Sequence, residues 1–183
     1  MLIAVVGPSG AGKDTLMIGA RAALALDARF RFVRRAITRP GEAGGEDHEA
    51  LSQRAFAARQ EAGGFALFWQ AHGLSYGIPR DIEADLAARR VVIANLSRAV
   101  LAEAGARYPL RVLQITAPIE ILAARLGARG REAPADIAAR LKREVSLPAG
   151  LDVESVSNDA DVAQGVARVL TMLNRAAADA QGL

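Results

Sequence analysis

Cysteine is absent from the 183 residues, which excludes disulfide staples, thiolate nucleophiles and cysteine-built zinc sites. Aromatic residues make up only 4% of the chain, and no basic stretch is interleaved with rings that stack on bases, so no nucleic-acid partner is expected. No apolar run approaches the roughly 20 residues that span a bilayer, so no membrane partner is expected. The N-terminus opens on a strand-like run without a basic leader, and the cytoplasm is the expected compartment. Lysine is nearly missing, with Lys13 and Lys142 alone, and arginine carries the remaining positive charge of a chain whose net balance is only +3. A general preference for arginine accounts for most of the surface cations. Against that background the lysine kept at position 13 is informative.

Lys13 sits in the run Gly7-Pro8-Ser9-Gly10-Ala11-Gly12-Lys13-Asp14-Thr15, which fits the phosphate-binding pattern G-x-x-x-x-G-K-[ST] except at its last position. An apolar run, residues 2–6, precedes it and a helix-compatible stretch, residues 15–26, follows. Glycines let successive backbone N–H groups converge on phosphate oxygens with no Cβ in the way. The helix N-terminus adds partial positive charge, and Lys13 is a mobile point charge for the β- and γ-phosphates. Residues Gly7 through Thr15 are therefore the expected ATP-binding loop. Asp14 replaces the hydroxyl that ordinarily ligates Mg²⁺, and a carboxylate there can bind the ion directly or through water. Asp14 is the candidate metal residue, with ATP and Mg²⁺ the expected cofactors.

With 51% apolar content, the chain is long enough for one self-sufficient core. Strand-like runs at 2–6, 30–33, 91–95, 110–115 and 153–157 alternate with helical stretches at 15–26, 80–88, 97–104, 119–128 and 159–178. That alternation predicts an α/β fold, a parallel sheet covered on both faces, with ligands at the carboxyl ends of the strands. Two segments interrupt it. Residues 36–77 are polar and glycine-rich, with turn signals at Arg39-Pro40-Gly41 and Gly44-Gly45 and a strand-like cluster at 65–70, and read as an inserted subdomain. Residues 129–148 are arginine-rich and helical and read as a lid. The core is then 1–35, 78–128 and 149–183.

Along nearly its whole length the chain resembles the guanylate kinase family. The shared pieces occur in order: the Gly loop, Arg39-Pro40-Gly41-Glu42, Asp47, His72-Gly73-Leu74-Ser75-Tyr76-Gly77, Arg125-Leu126 with Arg129-Gly130, Arg140-Leu141, and Asn158-Asp159. The resemblance implies a P-loop nucleoside-monophosphate-kinase-like, three-layer architecture with an acceptor-binding insert at 36–77 and a helical lid. It departs where that family reads guanine. Leu67 stands at the base-binding glutamate, Ile78 at a base-binding Ser/Thr, Asn95 at a strand carboxylate and His48 at a phosphate-holding tyrosine, while Ala36 takes the place of the first phosphate-gripping arginine. A pocket that loses its hydrogen-bonding partners loses its selectivity, so GMP is a poor candidate acceptor. The run from Arg35 to Arg39-Pro40, Gly44-Gly45-Glu46-Asp47-His48, the Gly-Lys-Asp ending of the loop and Asn95-Leu96-Ser97-Arg98 resemble the ribose 1,5-bisphosphate kinase branch. That branch transfers the ATP γ-phosphoryl to a sugar phosphate in phosphonate utilisation and makes 5-phosphoribosyl 1-diphosphate.

By that resemblance, Arg39 is the first candidate for the acceptor phosphate, with Arg34, Arg35 and Arg98 as helpers. His48 either donates to a phosphate or ribose hydroxyl or is a histidine of a polar turn. Asp47 orients an arginine or ends a turn; Tyr76 contacts phosphate or packs in the insert. Lys13, Arg129 and Arg140 are the expected catalytic cations. Arg125 and Arg131 are further candidates to close over the phosphates. Asn158 falls where the family contacts adenine, or caps the C-terminal helix. The alternatives are a guanylate-type kinase, which Leu67 and Ile78 oppose, and a non-catalytic binding module, which the intact Gly12-Lys13 opposes.

Overall fold

The computed structural model describes residues 1–41, 46–128, 147–159 and 161–182. Five parallel strands, β1 (Leu2–Val6), β2 (Phe30–Phe32), β7 (Val91–Asn95), β8 (Leu110–Thr116) and β9 (Asp152–Ser157), form the central sheet in the order β2-β7-β1-β8-β9. β1 lies in the middle and is buried along its whole length, which is why it reads as an unbroken apolar run. Its side chains alternate between two cores. Ile3 and Val5 join Leu16, Ala20, Ile93, Leu113, Val169 and Met172 on one face. Leu2, Ala4 and Val6 join Val92, Val112, Ile82 and Leu101 on the other.

The first face is covered by α1 (Lys13–Ala23) and the C-terminal α6 (Val162–Gln181). They approach closely through glycines: a Cβ on Gly165 would sit 2.8 Å from Leu16 Cδ2, and one on Gly19 2.5 Å from Val166 Cγ2. The opposite face carries α3 (Ile82–Ala87) and α4 (Leu101–Arg107). The stretch expected as one helix at 97–104 divides into a 3₁₀ turn, Arg98–Val100, capped by Ser97 Oγ accepting from Ala99 N–H at 3.3 Å, and then α4. α5 (Ile119–Ala128) follows β8.

Between β2 and α3 lies a second, four-stranded sheet in the order β4-β3-β6-β5, built from β3 (Ala36–Ile37), β4 (Glu49–Ala50), β5 (Phe65–Ala71) and β6 (Leu74–Pro79), with α2 (Gln53–Glu61) between β4 and β5. β5 and β6 form a hairpin whose two turn residues, His72 (φ 52°) and Gly73 (φ 73°), both take left-handed backbone, as a tight type I′ connection requires. Leu67 and Ile78 face each other across this hairpin and are fully buried in the second core beside Trp69 and Val92.

Candidate functional site

The loop after β1 is shaped by two close approaches. A Cβ on Gly7 would lie 2.1 Å from Ile115 O, and one on Gly12 2.2 Å from Asn158 Nδ2. Gly12 also has φ 82° and forms the N-cap of α1, so a side chain there would be strained as well as obstructed. The first amide to find a carbonyl within the helix is that of Leu16, on Gly12 O at 3.0 Å. The amides of Lys13, Asp14 and Thr15 therefore face out of the helix N-terminus, the arrangement that receives anions.

The loop is braced from β9 and α5. Asn158 is 3% exposed and donates from Nδ2 to Ala11 O at 2.8 Å. Its backbone N–H bonds Thr116 O at 2.8 Å, and its carbonyl accepts from Arg125 at 3.1 Å. Arg125 also reaches Gly10 O at 3.5 Å. The sequence leaves Asn158 as an adenine neighbour or a helix cap. The structure uses its side chain as a brace on the loop, and α6 is preceded by Asp161 at the N-cap instead. The Asn158 Oδ1 atom is buried without a partner among the described residues.

Lys13 turns back on the loop, donating to Gly7 O at 2.8 Å and Pro8 O at 3.1 Å. Burial pulls its pKa below the ordinary lysine value; Arg35 and Arg98 act in the same direction, and Asp14 and Glu46 oppose them. These four charges and Lys13 are thus gathered at one place, the carboxyl ends of β1 and β7.

Two cavities flank this place. One, of about 130 Å³, has an apolar floor of Val5, Met17, Phe32, Val33 and Ile93 and a polar rim of Asn95 and the charged Asp14, Arg21, Arg35, Glu46 and Asp47. The other, of about 450 Å³, is lined by Gly7, Ser97, Arg98 and Pro148. In the first, Arg35 Nε donates to Glu46 Oε1 at 2.6 Å and Asn95 Nδ2 donates to Glu46 Oε2 at 2.9 Å. The Arg35 guanidinium lies over Trp69 and Tyr76, 5.6 and 5.1 Å from their ring centroids, and the two rings stack 5.4 Å apart. Asp47 accepts from Arg34 Nε at 2.8 Å and faces Arg21 at 3.8 Å.

The structure therefore gathers Lys13, Asp14, Arg35, Asp47 and Arg98 around the loop, and Arg34 at its edge. Asp47 orients an arginine, and Tyr76 packs its ring under Arg35. Three expectations need correction. His48 is neither a phosphate donor nor a turn-surface residue: it is 4% exposed, and its ring nitrogens lie 3.0 Å from Glu46 O and 3.1 Å from Arg39 O, tying two segments together. Arg39 does not line the cavity with Arg35; it borders a separate groove with Pro40 and Gln53, and its guanidinium sits 3.4 Å from His48 Nδ1. Leu67 and Ile78, expected at the base-binding positions of the acceptor site, do not line the cavity, because both turn into the core between the sheets. Arg129, Arg131 and Arg140 lie outside the described residues.

Sequence reasoning misses Glu46. Its neighbours Asp47 and His48 stand out in the same polar run, while Asn95 reads as the loss of a carboxylate from β7. The structure returns a carboxylate to that strand end from the insert, through the Glu46–Asn95 hydrogen bond. The signals in the sequence are an acidic residue beside a Gly-Gly turn and its place in the Gly44-Gly45-Glu46-Asp47-His48 run that carries the resemblance.

No protein-family model matches the chain. A ribose 1,5-bisphosphate phosphokinase (PhnN) of Brucella melitensis is 52% identical over 162 residues, covering 87% of this chain and 84% of its own. A bifunctional ribose 1,5-bisphosphokinase-thymidine phosphorylase of Azorhizobium caulinodans is also 52% identical, over 171 residues, and the match takes in 92% of this chain but only 25% of that longer relative. Among solved structures, the guanylate kinase of Anaplasma phagocytophilum superimposes with a TM-score of 0.68 at 15% identity, covering 96% of this chain and 84% of its own, a likeness of fold.

Proposed function

The chain belongs to the ribose 1,5-bisphosphate phosphokinase family, and on that premise we propose that it transfers the γ-phosphoryl group of ATP to the 1-phosphate of ribose 1,5-bisphosphate. The products are 5-phospho-α-D-ribose 1-diphosphate and ADP. The observation that carries this reading is the small cavity beside Lys13, rimmed by Arg21 and Arg35 at the carboxyl ends of the central strands.

In the transfer, a non-bridging oxygen of the 1-phosphate forms the new bond to Pγ, and the bond from Pγ to the bridging oxygen breaks, leaving with ADP. A phosphate monoester is largely dianionic near pH 7, since its second pKa is about 6. The nucleophile therefore needs no general base, and the work of the protein is alignment and charge neutralisation. Gly7 to Thr15 hold the triphosphate through backbone amides, with Lys13 released from Gly7 O and Pro8 O to the β- and γ-phosphates. Arg34, Arg35 and Arg98 take the acceptor phosphates as bidentate donors. Arg39 and His48 act one layer out, holding the loop that carries Glu46 and Asp47. Arg125 and Asn158 keep the donor loop in shape. Arg129 and Arg140 are assigned to transition-state charge, with residues 129–148 as the lid and residues 36–77 as the acceptor-binding insert.

Among the described residues no group of three acidic, histidine or cysteine side chains could hold a metal ion unaided. Mg²⁺ ordinarily needs only one or two carboxylates together with substrate phosphates, and Asp14, on the cavity rim next to Lys13, fits that requirement. When bound with ATP, the ion supplies neutralisation of the β- and γ-phosphate oxygens. Among the described residues no helix is long and apolar enough to cross a membrane.

The test is ³¹P NMR of purified protein with Mg-ATP and ribose 1,5-bisphosphate. The 1-phosphate resonance should disappear into a diphosphate pattern while the 5-phosphate resonance stays a monoester, with one ADP formed per product. ADP formed with GMP and not with the sugar bisphosphate, or with neither acceptor, would overturn the reading.

A further inference from the structure

The phosphoryl transfer described above gives Glu46 no part, yet Glu46 is held firmly in the acceptor cavity. Its side chain is 18% exposed and that of Arg35 is 12% exposed. Oε1 accepts from Arg35 Nε at 2.6 Å and Oε2 from Asn95 Nδ2 at 2.9 Å. Arg35 is in turn fixed over the stacked Trp69 and Tyr76 rings. An ionised carboxylate has about four lone-pair positions and no donor. Among the described residues two are taken by the protein, one on each oxygen, which leaves one acceptor position on each oxygen of a group that lines the cavity.

The chemistry of the acceptor leaves few partners for those positions. A phosphate is excluded by like charge. A general-base role is excluded because the nucleophile is already an anion. A metal ion is disfavoured by the Arg35 guanidinium on the same carboxylate. What fits two neighbouring carboxylate acceptors is a pair of neighbouring hydroxyl donors, the vicinal cis-diol of a ribofuranose. We propose that Glu46, set in place by Arg35 and Asn95, is a specificity-determining residue that accepts hydrogen bonds from the acceptor's 2- and 3-hydroxyls, so that the site takes ribose and discriminates against 2-deoxyribose. This rests on the sugar bisphosphate reading above and deepens it.

The experiment measures kcat/KM for ribose 1,5-bisphosphate and for 2-deoxyribose 1,5-bisphosphate with saturating Mg-ATP, in the native protein, Glu46→Gln and Glu46→Asp. The native protein should prefer the ribose acceptor by on the order of 10- to 100-fold, the range for one hydrogen bond to a charged group. Glu46→Gln should lower that preference to a few-fold. The loss should fall on KM for the ribose acceptor, leaving KM for ATP and the Mg²⁺ requirement in place. Glu46→Asp keeps the charge opposite Arg35 but withdraws it by one methylene, and should narrow the preference in the same direction; it carries the test if the Gln variant does not fold. A preference that survives both substitutions, or a loss shared equally by the two acceptors, or one expressed as a raised Mg²⁺ requirement, overturns the proposal and leaves the kinase reading standing. A native protein that makes no product from either acceptor overturns both.

Discussion

Asn158 and Gly12 should behave as a coupled pair. In the native chain a Cβ at position 12 would lie 2.2 Å from Asn158 Nδ2, far inside contact distance, at a backbone φ of 82°. Gly12→Ala then combines two penalties: about 1–2 kcal/mol for a left-handed alanine and about 1–3 kcal/mol for forcing a buried, tightly packed group aside. Asn158→Ala alone removes the 2.8 Å bond to Ala11 O and leaves a buried carbonyl unpaired, at about 1–3 kcal/mol. In the double variant the obstruction is gone, and only the backbone strain of an alanine at position 12 adds to the loss of the asparagine. Its total should therefore fall short of the sum of the two singles by about 1–3 kcal/mol. For a domain of this size that is a shortfall of roughly 2–12 °C in Tm, at about 2–4 °C per kcal/mol. Urea unfolding of the four proteins gives the coupling directly. Additive effects within about 0.5 kcal/mol would refute the argument that the asparagine side chain is what enforces glycine at position 12.

Other outcomes follow from the same geometry. Lys13→Met should cost about 10²- to 10³-fold in kcat, the range for one preorganised transition-state donor. It should not destabilise the ligand-free protein at neutral pH, because burial works against the Lys13 charge. With its pKa lowered in the folded state, the unfolded chain binds the proton more tightly, so native stability should rise with pH from that lowered value up to 10.5, a slope that Lys13→Met abolishes. Tyr108, pushed up to about 12 by burial and by its hydrogen bond to Glu83, should give a late step in an absorbance titration that Tyr108→Phe removes. Its contribution to stability should be whole below 10 and lost as the pH climbs toward 12, and urea midpoints across that range measure it. Asp14→Ala should need more Mg²⁺ for half-maximal rate than Asp14→Ser, whose hydroxyl restores an oxygen ligand; equal requirements would remove residue 14 from the metal site.

The central strands were legible because a parallel strand buried on both faces is a contiguous apolar word, as β1 and β7 are. The Gly loop was legible because its glycines answer a local steric demand. The insert was harder. β3 and β4 are two residues each, too short for any periodicity to register. Leu67 and Ile78 were plainly apolar, but whether they faced a ligand or the core depended on which side of the β5–β6 hairpin turns inward, and a register change of one residue reverses that. The same limit applied to His48 and Glu46. One is buried and the other aimed into the cavity by the path of the chain after β3, and that path is set by long-range pairing of Ala36 with Glu49 and Gly77. Arg34, Arg35 and Asp47 were reached through the family resemblance, and Arg34 and Arg35 directly follow a core strand, at whose carboxyl end ligands of such sheets bind.

The central claim is a donor cradle joined to a sugar-phosphate acceptor site that does not read a purine. The most direct measurement is the ratio of kcat/KM for ribose 1,5-bisphosphate to that for GMP, taken with the same protein and Mg-ATP and following ADP release. The account predicts a ratio well above about 100, since the positions where guanylate kinases hold the base are Leu67 and Ile78, both turned into the core and unable to pair with it. A ratio near or below one would contradict it.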